Sequence, residues 1–168
     1  MKKWILPLLA AVLLTGSCGI LGNETMAERR AREDREAQFV DQHVKEGDFT
    51  IRIDRMYPLR GTSRSVSSYS VSVRDGMLLS HLPYIGQAWR VPYGGGHALN
   101  FDAKVDGYQV KANRKDGYEV LVHVQTDEDR HTYTFTIFDN GRASLDVRSG
   151  NRERISFSGT MDFDPEER

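Results

Sequence analysis

The side chains best suited to binding or catalysis gather in one irregular stretch, Leu82 to His97. It reads Leu-Pro-Tyr-Ile-Gly-Gln-Ala-Trp-Arg-Val-Pro-Tyr-Gly-Gly-Gly-His and holds large aromatics, an arginine and a histidine between two strand-like segments. Loops of this length are uncommon in small domains and often carry function. Tyr84, Trp89 and Tyr93 offer broad apolar faces with polar tips. Arg90 can stack on an aromatic ring or pair with an anion. Tyr84, Trp89, Arg90, Tyr93 and His97 are therefore the candidate ligand contacts. The same composition also suits a plug, with the three aromatics folded inward over one end of the domain, and this is the expected state. Catalytic sets are harder to find. The five histidines, His43, His81, His97, His123 and His131, show no HxxxH or HxH spacing, and a metal site needs converging ligands. There is no GxSxG elbow and no phosphate-binding loop. Asp102 with Asp106, and Asp127-Glu128-Asp129, look like solvating charge on a strand face and in a turn. No catalytic residue, metal ligand or cofactor site is assigned. A hydrolase or lipid-modifying enzyme using Tyr84, Arg90, His97 and His81 is the alternative to a non-enzymatic binding or structural module.

A second chemistry sits near the N-terminus. Lys2 and Lys3 precede Trp4–Leu14, an eleven-residue apolar run broken only by Pro7. The run is too short to span a membrane and suits a signal peptide. Ser17 then places a small residue directly before Cys18, the only cysteine, so the segment resembles a bacterial lipobox. Thr15 departs from the aliphatic residue usual at its position, with Leu14 one place earlier. The chemistry implied is acylation of Cys18 after cleavage, and several acyl chains anchor a protein stably where one does not. An ordinary secretory signal with an incidental cysteine is the competing reading. A lone cysteine excludes an internal disulfide framework. The formal net charge of -1 provides no basic field for nucleic acid.

The elements that must position these groups are strands. Apolar residues alternate with polar ones from Phe49 to Ile53, Tyr69 to Val73, Leu99 to Val105, Tyr108 to Ala112, Tyr118 to Val124, Tyr133 to Ile137, Ala143 to Val147 and Ile155 to Phe157, the period-two signature of strands with one buried face. With Met77 to Leu82 this predicts an all-β, single antiparallel up-and-down meander of about nine strands, barrel-like or strongly curved. The turns fix expected registers, because a one-residue slip would turn a strand's apolar set outward. Asp106-Gly107 predicts a two-residue type I′ turn. Three-residue loops are predicted at Arg74-Asp75-Gly76, at Lys115-Asp116-Gly117 (Tyr108 opposite Val124) and at Asp139-Asn140-Gly141 (Tyr133 opposite Val147). Val124 is expected opposite Tyr133. Before the strands, Thr25-x-x-Glu28 is a capping box opening a charged helix from Met26 to Glu46, with Gly47 at its end. Only its second half, with Phe39, Val40 and Val44 on one side, is expected to dock. The domain plan is a signal peptide over 1–18, a tether and helix over 19–47, a β-domain over 48–163 and a tail over 164–168.

Leu82-Pro83-Tyr84-Ile85-Gly86-Gln87-Ala88, Pro92-Tyr93-Gly94-Gly95-Gly96, Ile137-Phe138-Asp139-Asn140-Gly141, Asn151-Arg152 and Ile155-Ser156 together resemble the hallmarks of domain of unknown function 4251. This is a family of small envelope proteins of the Bacteroides group. The resemblance covers roughly Phe39 to Gly159 and implies a β-rich fold and an envelope location, with no activity attached. The expected location is the outer membrane, anchored through Cys18 and facing the periplasm. The expected partners are the membrane itself and an envelope protein, glycan or lipid, with no cofactor.

Overall fold

The computed structural model describes residues 25–90, 97–113 and 117–163. One helix precedes eight antiparallel strands that close into a barrel. The elements are α1 (Met26–Glu46), β1 (Phe49–Pro58), β2 (Arg64–Arg74), β3 (Met77–Leu82), β4 (Leu99–Asn113), β5 (Gly117–Gln125), β6 (Arg130–Phe138), β7 (Arg142–Ser149) and β8 (Ile155–Met161). Each strand pairs with the next, and β8 returns to β1. Closure removes the free edges of an open sheet. An eight-stranded barrel is narrow enough for side chains to fill, and here they do: Tyr133, Phe135, Leu145, Ile155, Phe157, Leu78, Leu82 and Leu99 are all buried. Phe49 meets Phe135 edge-on with ring centroids 5.3 Å apart. The Tyr133 hydroxyl is buried within 2.9 Å of Ser80 Oγ, and that hydroxyl in turn donates to the Leu99 carbonyl at 2.7 Å. Burial holds the Tyr133 phenol well above its ordinary pKa.

The strand count is eight among the described residues, not nine, because Asp106-Gly107 is not a turn. β4 runs straight through it with a bulge between Val105 and Gly107. At this bulge β4 changes partner: Leu99–Lys104 pairs with β3 and Val105–Asn113 with β5. A bulge bends and twists a strand, which suits a barrel corner. The missing Cβ at Gly107 leaves space for the His123 ring, 3.3 Å from where that atom would lie. Glycine here serves close approach rather than reversal.

The registers keep their faces while some shift by two. Tyr108 lies opposite Val122, and Val122 opposite Tyr133. A two-residue displacement preserves parity, so each apolar set stays inward. Gly117 is a strand residue paired with Asn113, which moves the β4–β5 loop back by one residue; Lys115 and Asp116 lie outside the described residues. The β2–β3 turn has two residues, not three. Arg74 pairs with Met77, and Asp75 and Gly76 both take positive φ, 51° and 71°, as a type I′ turn requires. The β6–β7 loop matches its expected register: Tyr133 opposite Val147, Phe135 opposite Leu145, Ile137 opposite Ala143, with Gly141 at φ 73°.

The helix also follows its sequence signals. Thr25 and Glu28 form the reciprocal capping box, and Gly47 closes α1 in the left-handed conformation at φ 71°. Residues 25–35 are exposed, whereas Val40 and Val44 are fully buried against the barrel. Phe39 packs on Phe163 at 5.0 Å. The Tyr108 hydroxyl donates to the Val44 carbonyl and the Tyr118 hydroxyl to the Asp41 carboxylate. α1 therefore covers the end where β1 begins and β8 ends.

Candidate functional site

The opposite end is built from parts of four connections: 59–63 after β1, residues 83–90 and 97–98 between β3 and β4, Thr126–Asp129 between β5 and β6, and Gly150–Arg154 between β7 and β8. Its centre is Glu153, whose side chain is only 4% exposed. That carboxylate accepts the Gln87 N–H at 3.1 Å and faces the Arg60 guanidinium at 3.2 Å, joining three of the connections. The Glu153 N–H donates to the Gln87 carbonyl at 2.9 Å, Ala88 bridges to Arg152, and the Trp89 N–H donates to the Asn151 carbonyl at 2.9 Å. Residues 87–89 thus lie strand-like along 151–153.

The candidate contacts divide under this arrangement. Tyr84 is half-buried, with its hydroxyl shared between the carbonyls of Gln87 (2.8 Å) and Glu153 (3.2 Å). Burial raises its pKa, and the Arg152 guanidinium lies 5.6 Å from its ring centre. Tyr84 is thus packed as a plug would require. Trp89 is not: 67% of it is exposed, which overturns the expectation that it folds inward. The reason is local. With Ala88 paired to Arg152, the next side chain along an extended backbone must point the other way. Arg90 and His97 are exposed. The His97 N–H donates to Glu128 Oε1 at 2.9 Å. Tyr93 and Cys18 lie outside the described residues.

Three residues of the alternative catalytic set make contacts of their own. His81 sits on the outer wall with its ring 5.2 Å from that of Tyr69, the Tyr84 hydroxyl serves two carbonyls, and His97 is held through its backbone. Among the described residues, no three His, Cys, Asp or Glu side chains gather as metal ligands would. Two further histidines make local contacts: His123 lies opposite Thr132 and its Nδ1 is 3.1 Å from Thr132 Oγ1, and the His43 Nδ1 is 2.9 Å from the Phe39 carbonyl.

Four charges that hold this end together were missed by pattern reading. Asp127-Glu128-Asp129 was expected to be solvating, yet Asp129 is buried and accepts N–H groups from Arg130, Gly150 and Asn151 at 2.8, 3.1 and 2.8 Å. Glu128 pairs with Arg152 at 3.2 Å, where the arginine side chain is 6% exposed. Arg152 and Glu153 are buried charges next to each other in sequence. The only sequence signal was the Asn151-Arg152 motif; alternation alone marks charged residues as outward. His131, on the inward face, lies between these charges and the core. Its Nδ1 is 2.8 Å from Ser149 Oγ and its ring 4.7 Å from that of Phe101.

Beside this end, where β4 and β5 part, a cleft of about 540 Å³ opens between β4 and the β5–β6 turn. Its volume falls within the range of ligand sites.

The family model for domain of unknown function DUF4251 matches residues 31–161. The chain belongs to the DUF4251 family. It is similar in fold to the crystal structure of a DUF4251 family protein from Bacteroides eggerthii, with a TM-score of 0.56 and 14% identity. That similarity covers 78% of this chain and 87% of the other. No curated protein matches. The DUF4251 match agrees with the resemblance carried by the Leu82–Ala88 and Ile137–Gly141 motifs and attaches no reaction to it.

Proposed function

We propose that this DUF4251 protein is a lipid-anchored protein of the cell envelope, facing the periplasm from the outer membrane. In this reading it is a binding or structural module without catalysis, and its contact surface is the barrel end opposite α1. The observation that carries the contact surface is Trp89. Among the described residues it is the largest exposed apolar side chain at that end, at 67%, on backbone pinned by three hydrogen bonds to 151–153. An aromatic held in place but left in water loses little conformational entropy on binding. Leu59 and Ile85, at 60% and 39% exposure, belong to the connections that Glu153 joins. The partner is an envelope protein, glycan or lipid; nucleic acid is disfavoured by the net charge. The anchor rests on Lys2-Lys3, the Trp4–Leu14 run and Ser17-Cys18, and the exposed first half of α1 suits a spacer between lipid and barrel.

Two experiments test it. Metabolic labelling with a fatty acid should mark the wild type and not Cys18→Ser; equal labelling overturns the anchor. A photo-crosslinking residue at position 89, in cells, should capture an envelope component, whereas one at Leu79, 42% exposed on the outer wall, should not. Equal capture at both positions, or none at position 89, overturns the contact surface.

A further inference from the structure

The barrel's hydrogen-bond ladder is incomplete where β4 leaves β3 for β5. β4 pairs with β5 only from Val105 onward, because β5 turns away at Gln125 to meet Arg130. The stretch before the bulge pairs with β3 alone. Which of its backbone groups face away from β3 follows from one bond. The Val105 N–H donates to the Gly76 carbonyl at 2.9 Å, so Val105 directs its backbone groups toward the β3 side. Alternate residues of an antiparallel strand share that direction. Leu99, Phe101 and Ala103 therefore face β3, and Asn100, Asp102 and Lys104 face the cleft. The Asn100 N–H is used by the His97 carbonyl at 2.9 Å. The Asp102 and Lys104 N–H groups and the carbonyls of all three point into the opening.

We propose that this cleft takes up an extended basic peptide segment as an added strand along Asn100–Lys104 of β4. An exposed strand edge is a template for pairing, and such peptide recognition takes affinity from backbone bonds and specificity from alternate side-chain seats. Five residues of edge are about 17 Å long. Charges on an edge can simply discourage pairing, but blunting needs no cavity, and this edge borders one of about 540 Å³. Charge selects the partner. Among the described lining residues, Asp102 and Asp127 stand against one lysine, Lys104, and Glu128 adds a carboxylate already paired with Arg152 at 3.2 Å. Half-buried Phe101, tilted against His131, seats an apolar side chain on the inward face. An occupant that alternates apolar with Lys or Arg satisfies both faces. This site lies on the barrel wall and does not depend on the reading of Trp89.

The test uses the full chain in mild detergent and a blocked peptide alternating valine with lysine. Binding should appear by calorimetry, and the Asp102 and Lys104 amides should exchange more slowly in its presence. A glutamate-for-lysine version should bind about tenfold more weakly or worse, and N-methylation at alternate amides should abolish binding. Asp102→Pro removes an N–H that faces the cleft rather than β3, so it should fold and lose the peptide. If that variant does not fold, the N-methylated peptide decides. Asp127→Asn should weaken binding, and Trp89→Ala should leave it unchanged. Failure of the lysine peptide to bind, equal binding of the N-methylated or glutamate peptide, or loss with Trp89→Ala would each overturn the proposal.

Discussion

The two ends of the barrel are closed by different physics. At the α1 end, Val40 and Val44 are completely buried, and two tyrosine hydroxyls fasten the helix. Both phenols are pushed up to about 12, Tyr118 by its hydrogen bond to Asp41 and Tyr108 by burial. At the other end Leu82, Leu99 and Ile155 are buried, but the connections above them are held by charge. Glu153, Asp129 and Arg152 hold four connections together through backbone N–H groups and ion pairs, and Trp89 is left in water. Apolar burial is a source of net stability. Buried charges contribute less net stability but cost much when one partner is removed. One end therefore stabilises the fold, while the other fixes a shape that presents a surface.

The strongest way to break this contrast is Val44→Asp. An unpaired carboxylate placed at a fully buried site should cost about 3 kcal/mol or more. The denaturant midpoint should fall accordingly, and helical circular dichroism should drop. A tolerated substitution would mean that α1 does not seal its end. Glu153→Ala comes next. It strips the Gln87 N–H and Arg60 of their acceptor, at a cost of about 1–3 kcal/mol. Amide exchange at Gln87 and Trp89 should quicken while α1 stays protected. Exchange that quickened equally in α1 would mean that the two ends are not separately held.

The same contrast explains what the sequence made legible. The α1 end follows local rules: Thr25-x-x-Glu28, Gly47 and the Phe39–Val40–Val44 stripe each act within a few residues of themselves. The β6–β7 hairpin was readable because loop chemistry and apolar faces demand one register together. At Asp106-Gly107 a strong local turn signal lost to a barrel corner, which depends on β4 exchanging partners, a property of the whole sheet. At the end opposite α1, alternation marks Arg152 and Glu153 as surface charges. Their burial depends on Tyr84, Gln87 and Glu128, distant in sequence and brought together only by closure. Trp89 failed for a smaller reason: one bridge, Ala88 with Arg152, decides which way it points.

A smaller effect separates the ends by pH. Burial holds the His131 pKa below its ordinary 6.5, and Arg152 acts in the same direction while Asp129 and Glu128 oppose it. The folded state then binds this proton less readily than the unfolded chain, so stability rises with pH in that window. It should be fully present above about 6.5 and fall as pH is lowered through the folded value. Asp41, held low by its hydrogen bonds to Lys45 and Tyr118, belongs to the α1 end and to the lower carboxylate range. Chemical denaturation across pH should show a loss beginning below 6.5 that His131→Gln flattens. A loss confined to the carboxylate range in both proteins would remove His131 from the account.

The smallest expected effect on stability is the most diagnostic. Trp89→Ala removes a large aromatic, and were it buried as a plug the cost would be about 3–5 kcal/mol. With 67% of the residue in water, most of that surface is never withdrawn from solvent. The bond from its N–H to the Asn151 carbonyl is made by backbone and survives the substitution. The bridge at Ala88 and the Tyr84 hydroxyl bonds are likewise untouched. The melting transition should therefore move by no more than about 0.5 kcal/mol equivalent, the usual range for a surface substitution. Tryptophan emission from position 89, taken as the difference between wild type and variant, should be open to quenching by acrylamide. A cost of several kcal/mol, or emission shielded from the quencher, would make the end opposite α1 a second apolar seal. The surface that distinguishes it from the α1 end would then be gone.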